Sequence, residues 1–102
     1  MGLTRLAFTT GDTPLHAAAY WDHPDIVQLL AANGADVKRT DRWGVTALHV
    51  GVVSGHADVA QRLLAAGADP LARTQGGMTA VELARRIKDK ALVKLLTRQK
   101  SR

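Results

Sequence analysis

Apolar residues in this chain fall in short runs at helical spacing, and polar, turn-rich stretches break the runs at regular intervals. "IVQLL" and "VAQRLL" carry the three- and four-residue spacing of a helix with one apolar face. Each follows a turn, "WDHPD" or "SGHAD", and each turn follows another short apolar run. Thr13, Thr46 and Thr79 stand just before those earlier runs, where a hydroxyl can accept from the unpaired N–H groups of a helix start. Pro14 takes the first helical position, where a missing N–H costs nothing. Gly34 and Gly67 end the second helices, where a left-handed residue is wanted. The segments "ADVKRTDRWG" and "ADPLARTQGG" read as links to the next helix pair.

The pattern is a repeat. "GDTPLHAAAYWDHPDIVQLLAANGAD" aligns without a gap on "GVTALHVGVVSGHADVAQRLLAAGAD", a step of 33 residues, and the same step carries Gly44 onto Gly77. Apolar columns persist (Leu15, Leu48, Val81; Ile26, Val59, Leu92; Leu30, Leu63, Leu96) while several polar ones vary. One helix pair cannot bury its apolar face alone, so the units must stack into a solenoid in which each touches its neighbours. With "GDTPLH" at 11–16, "GVTALH" at 44–49 and recurring "GAD", the chain resembles the ankyrin repeat family over roughly residues 8–98, whose unit has this period and a T-P-L-H-x-A phrase. The expected fold is all-α: stacked helix-turn-helix units joined by β-turn or hairpin-like loops. The expected division is a segment 1–10, repeats at 11–40 and 41–73, and a C-terminal capping repeat at 74–102.

Departures from the family pattern carry their own expectations. Ala47 stands where the family has proline, and Asp22 replaces the glycine found at Gly55. The third unit, "GMTAVELA", has Glu82 in the histidine column and Lys88 and Asp89 in the glycine-histidine columns. Its outer face should be polar, as a terminal repeat's must be. Ten residues before Gly11 are too few for a helix pair, so the chain reads as an excised or engineered piece, even a selected binder. Its N-terminal edge should then be covered by Leu3, Leu6 and Phe8 or should self-associate.

Composition narrows the function. The 102 residues suit one domain and no large catalytic cleft. There is no cysteine, hence no disulfide and no thiolate metal site. "MGLTRLAFTT" lacks a signal peptide's apolar run and no stretch could span a membrane, which points to an intracellular, cytoplasmic or nuclear protein without a membrane partner. His16, His23, His49 and His56 could suggest a metal, but the repeat accounts for them, and the resemblance gives His16 and His49 a structural hydrogen bond with Thr13 and Thr46. No cofactor or metal is expected. Ser54, His56 and Asp58 lie on one turn and point different ways, and no strand-turn-helix elbow presents the serine, so no enzyme is expected.

Net charge is +5, and eight of the fourteen basic residues lie between Arg85 and Arg102. Lys90, Lys94 and Arg98 recur every four residues, with Leu92, Val93, Leu95 and Leu96 expected on the other face of the last helix. The first reading is a solvated capping face. The alternative is a surface for nucleic acid or another polyanion, although no aromatic residue is interleaved to stack bases.

By resemblance, the variable positions at turn tips and at the outer end of each first helix line one concave face. They are Asp12, Tyr20 and Trp21; Arg42, Trp43, Val45, Val53 and Ser54; and Gln75, Met78, Arg86 and Ile87. A scaffold aromatic should recur in its column. Tyr20 instead faces Val53 and Arg86, Trp21 faces Ser54 and Ile87, and Trp43 faces Thr10 and Gly76. Since tryptophan, tyrosine and arginine are enriched at binding hot spots, these twelve residues are expected to bind a protein or peptide partner, with nucleic acid disfavoured.

Overall fold

A computed structural model describes residues 13–98. Asp12 of the expected binding set and the cover expected from Leu3, Leu6 and Phe8 lie outside the described residues. Six helices follow one another: α1 (Pro14–Tyr20), α2 (Pro24–Ala32), α3 (Ala47–Val53), α4 (Ala57–Ala65), α5 (Ala80–Arg86) and α6 (Lys90–Arg98). Among the described residues there is no strand. The helices form three antiparallel pairs stacked into a slab of about 42 × 29 × 19 Å, with α1, α3 and α5 in one row and α2, α4 and α6 in the other.

Local chemistry repeats at each pair. Thr13, Thr46 and Thr79 each cap a helix through the hydroxyl, which accepts from the N–H three residues on. The side chain at that third position, His16, His49 or Glu82, reaches back to the cap's own N–H, closing a reciprocal pair of bonds. Between helices, the N–H groups of His23, His56 and Asp89 bond back to the carbonyls of Ala18, Gly51 and Ala84. That closure needs a left-handed residue just before it. Gly55 supplies it freely at φ 75°, whereas Asp22 and Lys88 adopt φ 60° and 61° against the steric preference of an L side chain.

The core is the strip between the rows. Leu48, Leu63, Leu92, Leu96, Val27, Val52 and Val59 are its largest fully buried apolar side chains, with His49 buried among them. Burial follows position in the stack: Val59 and Leu92 are 0% exposed, yet Ile26 in the same column is 44% exposed because no helix pair among the described residues lies beyond it. Gly51 sits where a β-carbon would lie 2.9 Å from Cγ1 of Val59, so a side chain there would force Val59 to shift.

Candidate concave groove

Two loop tips project from the stack beside α3 and α5, and each is a tight turn closed by its own polar residue. In the first, the Asp41 carboxylate accepts from the N–H groups of Trp43 and Val45, both at 2.9 Å, while Gly44 N–H bonds to Asp41 O at 3.1 Å. In the second, Thr74 N–H donates to Met78 O at 3.0 Å, and the Thr74 hydroxyl accepts from Met78 N–H at 3.2 Å. The tips are tied to each other. Gln75 N–H donates to Trp43 O at 2.9 Å, and the Gln75 side-chain amide donates to Arg42 O at 2.8 Å.

Buried histidines fix the bases of the loops. His49 Nε2 lies 2.9 Å from Ala72 O and 3.2 Å from Met78 O, so it must carry the proton and donate to both carbonyls. Nδ1 is then the acceptor for Thr46, from its N–H at 3.0 Å and its hydroxyl at 2.8 Å. His16 repeats the device with Val45 O at 2.7 Å and the Thr13 hydroxyl at 2.9 Å. Burial lowers the His49 pKa from its ordinary value, against the raising effect of its two carbonyl partners. Glu82, in the equivalent position of the last pair, is held below the usual carboxylate value first by the Thr79 backbone N–H and then by the nearby Arg73 charge. Both nitrogens of His16 and His49 are committed to protein groups. His56 donates to Tyr20 O at 3.2 Å and lies 3.8 Å from Asp22, while His23 heads α2 without a side-chain cap bond.

Between the tips and the inner helices lies an open groove of about 570 Å³. Trp43 and Val45 form one wall, Gln75, Gly76 and Met78 the other, and Val50, Val53 and Leu83 the floor, with His49 and Thr74 at the base. Trp43 and Val53 remain about half exposed, at 50% and 51%, and Arg42 stands over the Trp43 ring at 5.7 Å.

Five of the residues expected from sequence therefore share this groove: Trp43, Val45, Val53, Gln75 and Met78. Arg42 stands on its rim through the Trp43 ring. Tyr20 and Trp21 are exposed and pack edge to face at 4.9 Å, as a separate pair that does not line it. Ser54 caps α3, and Arg86 and Ile87 end α5, exposed but outside the groove. His49, Val50, Thr74, Gly76 and Leu83 line it without having been expected. Val50 and Leu83 had a readable signal: each lies one helical turn before an expected residue, Val53 or Arg86, and so shares its face.

A sequence model of ankyrin repeats in three copies matches residues 2–74. A stretch of 30 residues is 57% identical to the transient receptor potential cation channel subfamily A member 1 of Drosophila melanogaster, covering 29% of this chain and 2% of that protein. The chain thus spans a small fraction of the length of that relative.

Proposed function

Because the chain belongs to the ankyrin repeat family, whose repeats are generally protein–protein interaction modules, we propose that it binds a protein or peptide partner in the groove between its two loop tips. The observation that carries this reading is a half-exposed tryptophan facing valine, leucine and methionine across a preformed apolar concavity. The tips are already tied together by Gln75, so little ordering entropy is lost on binding. Arg42 on the Trp43 ring adds a polar handle beside the apolar surface. Tyr20 and Trp21 form a second aromatic contact point toward the other end of the stack, within reach of an extended or folded partner that also fills the groove.

Repeats of this family typically act as scaffolds without catalysis, and we assign no reaction to this chain. Among the described residues no helix is long and apolar enough to cross a membrane. An intracellular setting is part of the same proposal, supported by the absence of cysteine. The exposed Ile26 and Leu29 edge of α2 is where the self-association expected from sequence would act, and light scattering at two concentrations reads it.

The test is to select peptides from a display library on the immobilised protein and to map each by amide chemical shift. Perturbations centred on Trp43, Val53, Gln75 and Met78 support the proposal. Perturbations that leave those amides unmoved and gather elsewhere move the interface away from the groove.

A further inference from the structure

Positions that the middle helix pair buries change character in the last pair. Val52 and Ala60 are 0% exposed and Leu64 is 8% exposed. One step of 33 residues later stand Arg85, which is exposed, and Val93 and Thr97, which are half-buried. The outer end of the stack thus keeps the helix-pair shape that receives polypeptide inside the molecule, but its chemistry has turned cationic. Arg85, Lys88, Lys90 and Lys94 surround one open concavity of about 620 Å³, with Val93 as its apolar wall. Val93, expected on the face away from the lysines, lies among them.

Helix stability accounts for Arg85, in the last turn of α5, but not for the three lysines. Asp25 and Asp58 occupy the first turns of α2 and α4, where negative charge suits the helix dipole. In α6 that column holds Ala91, the first turn has no acidic residue, and Lys90 opens the helix. Lys88 is also held at φ 61°, where glycine would relax the turn. The neighbouring carboxylates are engaged: Asp89 accepts from Leu92 N–H at 3.1 Å, and Glu82 accepts from Thr79 N–H at 3.0 Å and faces Arg73 at 4.0 Å. None of the four cations forms an ion pair within 4.0 Å among the described residues, although Arg85 lies near enough to Glu82 to help lower its pKa.

We infer that this end face docks an acidic polypeptide segment, carboxylates meeting Arg85, Lys88, Lys90 and Lys94 and one apolar side chain meeting Val93. A polypeptide is favoured over nucleic acid because the face retains the helix-stacking shape and an apolar contact, and it offers no aromatic ring for a base to stack on. This surface lies apart from the loop-tip groove, and the inference stands whether or not that groove binds.

The experiment titrates the whole chain with a synthetic peptide of glutamates flanking a single leucine. Amide shifts should localise to Lys88, Lys90, Val93 and Lys94, and affinity should fall steeply as salt shortens the screening length to below about 8 Å. Lys90→Gln with Lys94→Gln should weaken binding about tenfold or more, as loss of two matched charges does. Lys38→Gln with Arg39→Gln, an equal loss of charge on the link between α2 and α3, should change it less than about twofold, since distant charges are screened. Circular dichroism confirms that both variants are folded. Equal weakening in both variants would reduce the effect to net charge and overturn the inference. So would shifts spread over the surface, or tighter binding of oligothymidylate or of phosphatidylserine vesicles than of the peptide.

Discussion

Gly44→Ala tests how the scaffold holds the groove open. Gly44 and Gly77 occupy the same column in successive loop tips, at φ 76° and 86°. A β-carbon at either costs about 1–2 kcal/mol for the left-handed backbone, and the stiffer unfolded chain returns about 0.4–1 kcal/mol. At Gly77 nothing lies within 4 Å, so Gly77→Ala should cost no more than that balance, about 1 kcal/mol. At Gly44 the added carbon would lie 2.9 Å from Gln75 N and 3.3 Å from two backbone atoms of Thr74. Those are main-chain atoms that no rotamer change can move, and Gln75 N–H is the donor that ties the tips together at Trp43 O. Overpacking adds about 1–3 kcal/mol, and a loosened hydrogen bond about 0.5–1.5 kcal/mol more. Gly44→Ala should therefore cost roughly 2.5–5.5 kcal/mol in urea unfolding followed by circular dichroism, and it should shift the Trp43 and Gln75 amides. Equal costs for the two variants, within about 0.5 kcal/mol, would refute the claim that contact between the tips shapes the groove.

Three further outcomes follow from the same structure. Leu63→Ala, in a fully buried site, should cost about 2–5 kcal/mol and exceed Thr46→Ala, which removes a helix cap worth about 1 kcal/mol; the reverse order in urea unfolding would displace Leu63 from the core. Lys88→Gly should leave stability unchanged or raise it by about 0.5 kcal/mol, because relief of the left-handed strain slightly exceeds the entropy glycine brings to the unfolded chain, and a loss above about 1 kcal/mol would contradict the strain argument. The folded pKa of His49 lies below 6.5, so its contribution is complete above that pH and is lost as pH falls through the folded value, with Glu82, lowered from 4.5, adding to the loss at more acid pH. Stability should drop on acidification from neutrality, with part of that slope absent in His49→Gln; a rise would contradict the assignment.

Much of the fold was legible because it rests on local rules repeated in register. Thr13, Thr46 and Thr79 announce three helix starts, Gly34 and Gly67 two ends, and the apolar columns the stacking. Column comparison also separated Trp43 from the scaffold, since a residue without counterparts is free of the packing that makes columns recur. It could not say which variable residues share one concavity. Tyr20 and Trp21 satisfy the same test as Trp43, yet their rings pack on each other, because a groove is made between successive units and membership depends on which two tips approach. Val50 and Leu83 were passed over because apolar residues in an apolar column look like core, although each shares a helix face with an expected residue one turn on. A list of basic positions also missed that Val93, three residues after Lys90, lies beside it on α6, a neighbour relation that helical spacing makes readable.

A partner held by the walls of the loop-tip groove should lose affinity when either wall is truncated. Equilibrium binding of one display-selected partner to the wild type, Trp43→Ala and Met78→Ala reads this, with helical circular dichroism recorded for all three. Each truncation should cost about 2 kcal/mol or more, roughly thirtyfold in Kd, with the helical signal unchanged. Both variants folding normally and binding within about twofold of the wild type, a difference worth only about 0.4 kcal/mol, would contradict that expectation.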